Sequence, residues 1–243
     1  METMKEDHII ISIILILIVI GVGITLILNE SQQETETLDE YTTIIGNNSN
    51  GTVYKITYGN LSSNNTAIMI LGVHSLENGT HIATNESIMN FTKDNTLKNR
   101  FVAYYIKLNF NDSGMNTSDY DTNRHMGELL ANEYVVPDIE NYDPYVVVDV
   151  HEMEDYWENQ KYVGIINNES NVSVQYANEI AGNLSFPVFP ITGGTSPEWV
   201  TIPISNNRHE VILFETAQDD SMENKTQIAS NLVRTVDNFN VYK

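Results

Sequence analysis

The chain contains no cysteine. Disulfides, thiolate metal sites and a cysteine nucleophile are therefore excluded. Basic residues are scarce as well. Twelve Lys and Arg stand against 33 Asp and Glu in 243 residues, a formal net charge of −21. Like charge repels phosphate, so nucleic acid is excluded as a partner. Charge of either sign is thin, at 19% of residues, and Asn, Ser and Thr supply much of the polar surface instead.

What is present begins with Ile9–Leu28, an uncharged run rich in Ile, Leu and Val. About 20 residues of helix span a hydrocarbon core of ~30 Å. The run is long for a signal peptide, and Leu28-Asn29-Glu30-Ser31 offers no small-residue cleavage pattern, so an uncleaved transmembrane helix is predicted. Lys5 precedes it and no Lys or Arg follows until Lys55. This bias places residues 1–8 in the cytoplasm and the body outside the cell membrane, in a single-pass arrangement. Asn-x-Ser/Thr triplets from Asn47 to Asn224 are compatible with that address. Residues 29–41, polar and acidic, read as a linker, and residues 42–243 as one domain.

Within the domain, Thr42–Ile45 and Thr52–Tyr58 flank a loop of turn formers and predict a hairpin. Ala67–Leu71, Phe101–Leu108, Pro144–Val150, Tyr162–Ile166 and Val211–Phe214 read as further strands. Helical spacing marks Met126–Tyr134, Val172–Leu184 and Thr226–Phe239, with a short helix over Thr84–Asn90. Strands alternating with helices predict an α/β fold, a mixed sheet sandwiched between helices.

Three predicted strands run into a residue capable of metal or proton chemistry: His74, His151 and Glu215. Sites in open α/β sheets form at the carboxyl ends of strands. A catalytic zinc needs three protein ligands and one open position. His74, Glu77 and His151 supply two imidazoles and a carboxylate, which leaves Glu215 as general base for the hydrolysis of an amide. His81 is a rival third ligand, because His74, Glu77 and His81 would share a face of one continuous helix. Asn78-Gly79 argues against such a helix.

These residues carry a resemblance. Gly72-Val73-His74-Ser75-Leu76-Glu77, Asp121-Thr122-Asn123-Arg124, Val148-Asp149-Val150-His151, Gly193-Gly194-Thr195-Ser196-Pro197-Glu198-Trp199 and Phe214-Glu215 resemble, in order, motifs of the zinc carboxypeptidase superfamily, which includes succinylglutamate desuccinylases and aspartoacylases. The resemblance covers residues 42–243. It implies one Zn2+ on His74, Glu77 and His151, with Glu215 as catalytic base. Asp121 would orient a zinc-bound imidazole, and Asn123 and Arg124 would hold a substrate carboxylate. The chain departs from the pattern at two places. No Arg other than Arg100 lies between Glu77 and Asp121, so Lys107 stands in for the Arg expected to stabilise the oxyanion. Phe189 stands where a Tyr is expected.

The expected activity is that of a membrane-anchored metallocarboxypeptidase. Its substrate would be a peptide with a free carboxylate, such as a cell-wall or surface peptide. The alternatives are a deacylase of N-acyl amino acids and a binding module that keeps the fold without turnover.

Overall fold

Three β-branched, apolar segments lie side by side at the middle of the sheet and run parallel: β3 (Thr66–Leu71), β5 (Pro144–Met153) and β8 (Val211–Ala217). Every residue of β3 and β8 is buried. Their near-continuous apolar runs follow from coverage of both sheet faces. The computed structural model describes residues 41–109, 117–166 and 170–241. Around the three central strands, β1 (Thr42–Asn47), β2 (Gly51–Gly59), β4 (Arg100–Leu108), β6 (Tyr162–Ile165) and β7 (Val188–Pro190) complete an eight-stranded sheet in the order β1-β2-β4-β3-β5-β8-β6-β7. The β1/β2, β2/β4 and β6/β8 pairs are antiparallel, so the sheet is mixed as expected.

Period-2 alternation assigns the residues of β5 to two layers. Val146, Val148 and Val150 pack on one face with Ile88 of α1 (Asn78–Lys93), Tyr176 and Ile180 of α4 (Asn171–Leu184), and Leu232 and Val233 of α6 (Met222–Asp237). Val147 faces the other side. There it joins Leu130 at the end of α2 (Thr117–Leu130), Ile139 of α3 (Val136–Ile139) and Ile204 of α5 (Ile202–Asn206). Each fully buried Val contributes about 1.5–3 kcal/mol relative to exposure. A π-helical turn, Ala131–Val135, joins α2 to α3, and a second, Pro197–Thr201, leads into α5. Asn132 donates to the Trp199 carbonyl at 2.7 Å and ties the two turns together.

Several elements differ from expectation. The helix expected over Thr84–Asn90 starts at Asn78. Its buried face is Gly79, Thr80, His81, Ala83, Thr84, Ser87 and Ile88, too polar to produce an apolar stripe. The helix expected from Met126 begins earlier, at Thr117. β5 continues through His151 to Met153. Residues 9–28, and the 29–41 linker apart from Tyr41, lie outside the described residues. Among the described residues, no helix is long and apolar enough to cross a membrane.

Candidate metal centre

After β3 the chain turns sharply, and the Glu77 amide donates to the His74 carbonyl at 3.1 Å. The turn places both side chains at the carboxyl end of the sheet, each 2% exposed. β5 brings Asp149 and His151 to the same end on one face. β8 pairs with β5 in the register His151↔Glu215, so Glu215 stands beside His151 on that face.

The imidazoles of His74 and His151 converge on one carboxylate. His74 Nδ1 lies 2.7 Å from Glu77 Oε1, and His151 Nδ1 lies 2.8 Å from Glu77 Oε2. The ring centroids are 4.7 Å apart. Donor atoms of His74, Glu77 and His151 all lie within 4.8 Å of one another. The outward nitrogens are held from behind. His74 Nε2 lies 3.1 Å from Glu128 Oε1, and His151 Nε2 lies 3.1 Å from Asp149 Oδ1 and 3.2 Å from the Ser196 hydroxyl. Carboxylates on the far nitrogens fix ring orientation and leave each Nδ1 for a common centre.

The electrostatics fit a cation. Glu77, Glu128, Asp149 and Glu215 are four carboxyl groups, each no more than 7% exposed. Of these four, Glu77 is met by Arg124, with a guanidinium nitrogen 2.5 Å from its Oε1 and 3.7 Å from Glu154 Oε1. Buried charge requires compensation, and a divalent ion among the Nδ1 atoms and Glu77 would supply it. Burial alone would raise Glu77, but the neighbouring His74 and His151 hold it well below the ordinary carboxylate range. His151 is raised well above the ordinary imidazole range because Asp149 and Glu77 outweigh its burial. Burial pushes Glu215 up to about 8, aided by Glu77 and Asp149 and opposed by His151 and Arg124. Its Oε2 is buried and has no hydrogen-bond partner. A carboxylate with a free oxygen beside the ligand cluster suits a proton acceptor.

The structure brings together His74, Glu77, His151, Arg124 and Glu215. Asn123 is buried next to Arg124 on α2. Asp121 does not do what the motif implied. It is exposed, and the far nitrogens of the two imidazoles belong to Glu128 and Asp149 instead. The cause is the register of α2. Gly127 packs so closely on the loop after β3 that a Cβ there would lie 1.7 Å from the Val73 carbonyl oxygen. The next residue, Glu128, is thereby pressed against His74. Asp149 had a readable signal: an acid in an apolar strand, two residues before His151 and so on the same face. His81 lies on α1, but that helix begins at Asn78, so His74 and Glu77 do not share it as the rival reading required. Its Nε2 is 2.6 Å from the Val150 carbonyl and its ring centroid 6.3 Å from that of His151, so it stands apart from the cluster. Lys107 is exposed on β4, which β3 separates from β5. Phe189 packs against Tyr162, and Tyr162 pairs with Glu215 across β6 and β8.

No protein-family model matches the sequence, and no curated protein matches it. Solved structures do match. A metallo-carboxypeptidase from Burkholderia cenocepacia superposes with a TM-score of 0.53 at 8% identity, over 84% of this chain and 65% of that one. The fold is that of the metallo-carboxypeptidases. Cell shape determinant protein Csd4 from Helicobacter pylori matches with a TM-score of 0.52 at 10% identity, over 76% of this chain and 53% of that one. A metallo-carboxypeptidase from Pseudomonas aeruginosa, solved with (2-guanidinoethylmercapto)succinic acid, matches with a TM-score of 0.50 at 10% identity, over 82% of this chain and 64% of that one. The chain thus spans between about half and two thirds of these proteins. At these identities the likeness concerns the fold.

Proposed function

We propose that this chain is a zinc-dependent amide hydrolase of carboxypeptidase type. The carrying observation is the convergence of His74 Nδ1, His151 Nδ1 and the Glu77 carboxylate, with Glu215 in register beside His151. His74, Glu77 and His151 would hold the ion, the two-imidazole, one-carboxylate set that leaves a fourth position open. A zinc ion held there supplies Lewis acidity, acidifying water and polarising an amide carbonyl.

The remaining work belongs to the chain's own groups. Glu215 takes a proton from the attacking water on a carboxylate oxygen and delivers it to the leaving amine nitrogen. Arg124 leaves Glu77 for the free carboxylate of the substrate, which its planar fork binds bidentately, and Asn123 assists from the same helix. Glu128, Asp149 and Ser196 keep the imidazoles in orientation. Burial of the cluster excludes bulk water and strengthens each of these interactions. The uncharged run 9–28 anchors the domain at the cell membrane and the linker 29–41 spaces it outward. From that address, the substrate class we favour is a short cell-wall or surface peptide with a free carboxylate.

The full chain should release the C-terminal residue from short peptides, lose that activity on chelation and regain it with Zn2+. Cleavage of N-acyl amino acids without cleavage of peptides would replace this reading with the deacylase. Stoichiometric zinc without hydrolysis of either class would replace it with the binding module.

A further inference from the structure

Consecutive residues of a strand point to opposite faces of the sheet. At the end of β5, His151 therefore turns to the metal cluster and Glu152 to the opposite side, towards α1 and α6. Glu152 is 3% exposed there. Its backbone amide donates to Glu77 Oε2 at 3.1 Å. Its side-chain Oε1 accepts from the Thr80 backbone amide, in the first turn of α1, and lies 2.8 Å from Lys225 Nζ. Lys225 is 4% exposed, sits in the first turn of α6 and also donates to the Gln218 carbonyl at 2.8 Å.

Helix α1 explains why this residue is needed. The first four amides of a helix lack partners within it, and a side chain at the N-cap ordinarily accepts one of them. The N-cap of α1 is Glu77, which makes no capping bond because its carboxylate is committed to His74, His151 and Arg124. Glu152 supplies the missing anion from another element, where the helix dipole also favours negative charge. Lys225 balances that charge. The fit leaves no room for a larger neighbour: a Cβ at Gly79 would lie 2.6 Å from Lys225 Nζ and 2.9 Å from Glu152 Oε1.

We infer that the buried Glu152–Lys225 pair is a positioning device that fixes the separation of Glu77 from His151 and so presets the metal-binding geometry. Glu152 grips Glu77 through its amide and the helix behind Glu77 through its carboxylate, while its chain neighbour is His151. Lys225 acts through Glu152 and through Gln218, whose carbonyl it holds and whose side-chain amide donates to the Leu76 carbonyl at 3.1 Å. The inference rests on the metal-site reading above.

The test is Zn2+ affinity of the full chain by chelator competition, with the visible absorption of bound Co2+ as a measure of ligand geometry. Glu152→Met/Lys225→Met removes both charges at similar volume, a change that buried pairs often tolerate in folding. It should raise the Zn2+ Kd about 10- to 100-fold and shift the Co2+ bands, while thermal unfolding in chelator stays cooperative. An unchanged Kd and unchanged bands in the double variant overturn the inference. If the double variant does not fold, Glu152→Gln is measured in the same way: a Kd raised tenfold supports the inference and a Kd within about twofold of wild type overturns it. A wild-type chain that binds no Zn2+ overturns the metal-site reading itself, a result distinct from either.

Discussion

Glu215→Gln should abolish hydrolysis and leave the zinc content at about one per chain. The substitution keeps volume and shape, and Glu215 is not one of the three residues proposed to hold the ion. What it removes is the ability to accept a proton. General acid–base catalysis contributes about 10²- to 10⁴-fold, so the rate should fall by at least that factor. The local environment makes this the decisive group. Glu215 is buried, one carboxylate oxygen is unpartnered, and its register places it beside His151. Steady-state kinetics with the same peptide, together with metal analysis of the variant, checks the prediction. A variant with unchanged kcat removes Glu215 as the base and leaves Glu154 or solvent to be considered.

His151→Ala should release the metal. Three protein donors define the site, and loss of a partner lying behind a ligand already costs about 10- to 100-fold in affinity. Loss of a ligand should cost more. The change also takes one partner from the buried Glu77, whose Oε2 would keep the Glu152 amide while Oε1 keeps His74 and Arg124, and losing a charge-assisted hydrogen bond from a buried carboxylate is costly. The variant should therefore bind zinc weakly and melt at a lower temperature than wild type. Asp121→Asn is the control, since Asp121 is exposed and makes no contact with either imidazole. Equal zinc affinity in wild type and His151→Ala would reject the assigned ligand set.

The central strands were legible in sequence because burial on both faces demands apolar, β-branched residues. For that reason Pro144–Val150 and Val211–Phe214 could be read directly, and with them the positions of His151 and Glu215 near the carboxyl ends of two strands, whereas the pairing of those strands came from the structure. The hairpin β1–β2 was legible from its turn formers. Helix α1 was legible only over Thr84–Asn90, because the face it buries is composed mostly of small and polar residues that carry no periodic signal. Asn78-Gly79 does mark the break, since α1 begins there and His74 and Glu77 lie before it, and in that first turn Gly79 makes room for Lys225. Glu128 was hidden for a related reason. Its burial depends on the close approach that Gly127 permits, and a glycine announces a close approach without naming the partner. Asp121 was overvalued for the opposite reason: a motif match fixes the order of residues, but not the register of the helix that carries them.

The measurement that addresses the central claim most directly is X-ray absorption at the zinc edge on the full, zinc-loaded chain. Coordination by His74, Glu77 and His151 predicts two imidazole nitrogens at about 2.0–2.1 Å and carboxylate oxygen at about 2.0–2.2 Å, with room for one further light ligand, and loss of one imidazole contribution in His151→Ala. A spectrum with three or more imidazoles, or one that His151→Ala leaves unchanged, would contradict it.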